Sequence, residues 1–101
     1  MRWLGADGMS ANCPAALVTN ILGDEPQPPG AIQFDADYRS LLFVCPCGCG
    51  VLGALPFRPY PDGPSWEWDG NREKPTLMPS VQKTSPCRWH GWLRAGEWVS
   101  C

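Results

Sequence analysis

Cys45-Pro-Cys47-Gly-Cys49-Gly puts three thiols within five positions, and Cys87-Arg-Trp-His90-Gly-Trp92 brings another thiol together with the only histidine of the chain. Thiolates and a neutral imidazole are the ligands zinc prefers, and the same soft donors also hold iron–sulfur clusters. Residues 50–86 separate the two stretches, so a metal held by both ties together two distant parts of the fold. Five candidates, Cys45, Cys47, Cys49, Cys87 and His90, compete for the four places of a tetrahedral site. Cys87 and His90 form the second pair in either arrangement. The first pair is Cys45 with Cys49, or Cys47 with Cys49. The expected site is thus three cysteines and one histidine around one zinc ion. Cys45 is the expected spare, because it closes an apolar run and reads as a buried core thiol. Cys13 and Cys101 read as unligated thiols.

The donor set argues against hydrolytic metal chemistry. A zinc hydrolase keeps an open coordination position and usually His or carboxylate ligands, whereas a Cys-rich site is closed. No glutamate flanks His90, where Arg88, Trp89 and Gly91 stand instead. A Ser80 nucleophile needs a free histidine, and the metal is expected to take the only one. Thiol exchange at the Cys-x-Cys pair is a minor redox alternative. The sequence therefore predicts a protein that is not an enzyme.

With 101 residues, 12 Pro, 11 Gly and six Trp, the chain reads as one small domain of turns and short strands. Such a domain buries about two-thirds of its unfolded surface, so a structural metal adds useful folding energy. Six cysteines also fit a secreted disulfide scaffold. The stretch Met1–Asp7 has no apolar signal-peptide core, however, so a reducing cytoplasm and metal thiolates are the expectation. No stretch reaches the roughly 18 apolar residues of a membrane span. The net charge of −2 disfavours nucleic acid as a partner, although residues 72–101 carry five basic groups against Glu73 and Glu97.

The elements follow from period and punctuation. Residues 10–23 read as a short helix capped by Ser10 or Asn12 and ended by Gly23, with Leu17/Ile21 and Val18/Leu22 as apolar pairs. The Pro-rich stretch of residues 24–30 follows, so residues 1–28 read as a helical arm and linker and residues 29–101 as the metal-stapled β domain. Strands are expected at residues 31–35, 40–44 and 51–57, the last two joined by the cysteine loop. Residues 56–64 carry four prolines and read as an irregular loop. Residues 66–68 read as an edge strand, and 76–81 as a strand broken at Pro79. A closing hairpin runs from His90 to Val99 and turns at Ala95-Gly96. The fold class is mainly β: antiparallel hairpins pinching one metal, with an N-terminal helix.

Two resemblances add to this reading. Cys87-Arg-Trp-His90-Gly-Trp92 resembles the CxxHGW second ligand loop of Rieske-type ferredoxins and ring-hydroxylating oxygenases. Cys47-Gly-Cys49 stands where that family has Cys-x-His. This resemblance implies two hairpin tips around a metal and, with iron, electron transfer. A longer series is Pro29-Gly30, the Cys-x-Cys-Gly-Cys-Gly block, Thr76-Leu77-x-Pro79-Ser80-Val81, then Cys87-x-x-His90. Over roughly residues 29–98 it is similar to a family of small Cys/His zinc-binding proteins common in tailed phages and prophages, with relatives beside bacterial ubiquitin-like conjugation genes. It implies a zinc-binding fold and supplies no catalytic residues.

The resulting expectation is a non-enzymatic, zinc-stapled protein-interaction module acting on a host protein. Arg88, Trp89 and Trp92 are its expected contact surface, because the ligand loop should be exposed and aromatics dominate binding hot spots. The alternatives are an iron–sulfur electron carrier and a nucleic-acid-binding zinc protein.

Overall fold

Short apolar runs between prolines and glycines limit each strand to a few residues. The chain resolves them into two antiparallel sheets in a computed structural model that describes residues 12–83 and 87–100. The strands are β1 (Cys13–Pro14), β2 (Ile32–Phe34), β3 (Ser40–Val44), β4 (Leu52–Pro56), β5 (Glu67–Trp68), β6 (Leu77–Gln82), β7 (His90–Arg94) and β8 (Glu97–Ser100). One sheet has the order β1-β8-β7-β6-β5 and the other β2-β3-β4. Single parallel bridges, Leu17 to Ile32 and Phe57 to Trp66, lie outside these strands. Among the described residues no helix is long and apolar enough to cross a membrane.

The expected helix over 10–23 is not formed across its described part. Cys13 pairs opposite Trp98 and Pro14 opposite Glu97, Leu17 bridges to Ile32, and the segment then turns, with the Gly23 N–H donating to Asn20 O at 3.1 Å. Other backbone groups of the segment find partners elsewhere in the fold: the Ala15 N–H donates to Gly96 O, the Val18 N–H to Ile32 O, and Ala16 O accepts from the Ile32 N–H. Pairing with existing strands thus overrides a weak local helix preference. Ala15 and Ile21 are buried, while Leu17 and Leu22 stay 50% and 70% exposed. Residues 1–11 lie outside the described residues.

The core lies between the sheets. Leu41 and Phe43 of β3 meet Leu77, Leu93 and Trp98 of the larger sheet. Phe43 and Trp98 ring centroids are 5.0 Å apart. Trp98 is completely buried, and its indole N–H is satisfied by Gly30 O at 2.8 Å. Ile21, Ala31 and Val44 form a smaller second cluster.

Register in the larger sheet decides which side chains meet. Gly91 and Leu93 of β7 point into the core, so His90, Trp92 and Arg94 share the opposite face. Leu77 pairs with Leu93, but Val81 pairs with Gly91 and Gln82 with His90. Four steps along β6 therefore match two along β7, and Met78-Pro79-Ser80 bulge out against Trp92. The strand break expected at Pro79 is this bulge. The Met78–Pro79 peptide is cis.

Candidate active site and metal centre

The β3–β4 hairpin carries the first three cysteines. Cys45 directly follows β3 and is completely buried, with its N–H donating to Val51 O across the loop. The tip then turns through Gly48 and Gly50, at φ 94° and 82°, conformations that residues with a Cβ rarely take. This leaves Cys47 and Cys49 exposed on one side of the tip. Cys87 arrives from the other sheet, just before β7. The Cys45 sulfur lies 3.4 Å from that of Cys47 and 3.3 Å from that of Cys87, and the Cys49 sulfur is 3.8 Å from Cys87. All four sulfurs fall within 4.8 Å of one another. Four thiolates around one tetrahedral ion, with bonds of about 2.3 Å, stand about 3.8 Å apart. The chain thus holds a four-cysteine cluster of the right size to bind a metal ion.

Protonation follows position in this cluster. Burial pushes the Cys45 thiol well above the ordinary range. Cys87 is lowered to about 7, first by the backbone N–H of Trp89 and then by the Cys45 and Cys47 thiols. Cys87 is thus the thiol readiest to supply a thiolate, while Cys45 needs a cation beside it to ionise.

The structure places Cys45, expected to be the spare, among the four sulfurs. It places His90 elsewhere. The His90 Nε2 is 2.9 Å from the Ser80 hydroxyl. The register explains the meeting: Gln82 is opposite His90, and Ser80, two residues along on the same face, is its diagonal neighbour. Trp66 pins the bulge by donating its indole N–H to Ser80 O at 3.2 Å. The Lys83 N–H donates to Trp89 O at 2.8 Å and closes the sheet just beyond the pair. Both side chains are half-buried. Ser80 and Trp92 also line a cavity of about 620 Å³. A serine hydroxyl within hydrogen-bond reach of an imidazole is the minimal unit of nucleophilic acyl transfer. The imidazole that a Rieske-like ligand set requires is not among the four clustered ligand groups.

The expected contact residues separate as well. Arg88 is exposed. Trp89 packs on the core, edge-on to Trp98 at 5.6 Å between centroids, with its N–H donating to Ser100 Oγ. Trp92 is half-buried on the His90 face, 6.0 Å from the imidazole.

Fold and site together define a small all-β protein with a serine–histidine pair beside a four-cysteine cluster. The family model described as "Bacterial ubiquitination-like system serine protease (BubE)" matches residues 18–101, and the chain belongs to that family. No curated protein and no solved structure matches it. The resemblance to relatives of bacterial ubiquitin-like conjugation systems holds at this level. The expectation of a non-enzymatic protein is overturned, because the family is one of serine proteases. That expectation rested on spending His90 on the metal. Cys45 lies in the four-sulfur cluster, and the His90 imidazole lies against Ser80.

Proposed function

We propose that the chain is a serine protease acting on a protein of a bacterial ubiquitin-like conjugation system, with Ser80 as nucleophile and His90 as its base. The observation that carries this reading is the Ser80 Oγ to His90 Nε2 contact of 2.9 Å at the edge of an open cavity. His90 Nε2 takes the hydroxyl proton as Ser80 Oγ attacks the scissile carbonyl, then hands that proton to the leaving amine. A water molecule, deprotonated by the same nitrogen, releases the acyl group and restores Ser80.

Zinc is the ion that best suits the cluster, and its role is structural. Four sulfurs fill a tetrahedron and leave no position for substrate or water. When bound, the ion supplies a crosslink between the β3–β4 hairpin and the segment leading into β7, three residues before His90. The substrate is a protein partner, and Trp92, on the His90 face, is placed to touch it.

A fluorophosphonate probe tests the reading. It should label the wild-type protein at Ser80, found by peptide mass mapping. Ser80→Ala should abolish labelling, and His90→Ala should slow it by about 10²–10⁴-fold, the range for losing a general base. Labelling at another serine, or equal labelling of both variants, would overturn the assignment.

A further inference from the structure

Two arginines line the cavity beside Ser80 and have no part in the dyad. Arg94 shares the outer face of β7 with His90 and Trp92, and its guanidinium lies 4.6 Å over the Trp92 ring. Its cross-strand neighbour is Glu97, yet the guanidinium is turned onto the indole within this cavity. Arg58 enters from the loop after β4 and donates its Nε–H to Ser65 Oγ at 3.3 Å, one of five N–H donors that a guanidinium carries. Glu67 is the one acid among the lining residues, against these two arginines. Met78, 57% exposed, adds an apolar wall.

Arg58 also lines a second cavity of about 620 Å³, together with Tyr38, Arg39 and Tyr60. Asp35 is there too, but its carboxylate accepts from the Arg39 backbone N–H and the Ser40 hydroxyl. Arg58 is thus common to the linings of both cavities, and the second adds Arg39 and two tyrosines.

We propose that these two cavities together bind an extended peptide, and that Arg94 and Arg58 read an acidic side chain of that peptide beside the bond Ser80 attacks. The proposal rests on Ser80 being the nucleophile and adds the substrate's chemistry. Charge complementarity selects a carboxylate, because two guanidinium forks outweigh Glu67 and suit planar carboxylate recognition. A peptide that occupies both cavities runs on past Arg58, so the carboxylate belongs to a side chain rather than to a chain end. Arg94 and Arg58 are specificity residues here and take no part in proton transfer.

The test uses Ser80→Ala protein, so that binding is read without cleavage. Short fluorescein-labelled peptides, amidated at the C-terminus, carry Glu, Gln or Lys at one fixed position in a randomised frame. Fluorescence anisotropy should show the Glu set binding about tenfold tighter than the Gln set, the scale of one charge-assisted hydrogen bond. Adding Arg58→Gln and Arg94→Gln together should erase the difference without lowering the melting temperature. Equal binding of all sets, a preference for Lys, a Glu preference that survives the double substitution, or no binding by any set would each overturn the proposal. So would a Gln set with a free C-terminal carboxylate that binds as well as the amidated Glu set, since the carboxylate read would then be a chain end. Fluorophosphonate labelling of the wild-type protein reports on Ser80 independently of all these outcomes.

Discussion

His90 shows how one residue type at one spacing fits two chemistries. Cys-x-x-His is a metal knuckle by sequence, and nothing in the spacing says that the imidazole turns away from the sulfur three residues before it. What decides is which groups stand across the sheet, and that depends on register. Cys45 fits two readings for the complementary reason. It is buried and follows an apolar strand, as a core thiol does, and it is also within 3.3 Å of Cys87. Burial and ligation are compatible once a cation compensates the thiolate. The two residues make a paired prediction. His90→Ala should keep about one metal ion per chain, and Cys45→Ser should lose it, as measured by elemental analysis of the purified proteins. Metal loss from His90→Ala would return the histidine to the ligand set and remove the base from the dyad.

At the scale of elements, the strands were legible because alternation and turn residues are local. Ser40–Val44 is a strand with the expected bounds, and Ala95-Gly96 turns the last hairpin with both residues at positive φ. Residues 12–23 were not legible, since their partners lie as far away as β8. The bulge at Met78–Ser80 was visible only as a proline in a strand. Gly91 explains why β7 can carry His90 so close to the core. A Cβ there would strike the Val99 carbonyl and sit 2.7 Å from the Trp89 ring. Gly91→Ala should therefore cost about 1–3 kcal/mol by overpacking, read as a lower urea midpoint with an unchanged slope. The turn between β2 and β3 gives a pH-dependent test. Partial burial raises the Asp35 pKa, but the N–H of Arg39 and the hydroxyl of Ser40 outweigh it and hold the carboxyl below its ordinary value. A group depressed on folding stabilises above its unfolded pKa, and that contribution is lost as pH falls through the folded pKa. Asp35→Asn should therefore lower stability by about 0.5–1 kcal/mol at neutral pH and have little effect in acid, as denaturant midpoints at the two pH values would show.

For the whole molecule, the cysteine cluster is a joint between the two sheets. Three of its sulfurs ride on the β3–β4 hairpin, and the fourth belongs to the segment that enters β7. A small domain has about 5–15 kcal/mol of total stability, and a structural zinc site is worth about 10–16 kcal/mol in peptides that cannot fold without it. Here Trp98, Phe43 and their neighbours already supply a core, so part of the fold does not depend on the metal. The hairpin tip and the segment that enters β7 should nevertheless lose their fixed relation when the joint opens. Removing the metal with a strong chelator is therefore expected to lower the melting temperature sharply. It should also abolish fluorophosphonate labelling of Ser80 in the same titration, because His90 follows the fourth ligand by only three residues. Ser80→Ala, by contrast, should leave the melting temperature nearly unchanged. Calorimetry and labelling across one chelator series separate the roles. Coincident loss makes the metal the device that holds the dyad together. Labelling that persists in the metal-free protein would mean that the larger sheet positions Ser80 and His90 unaided.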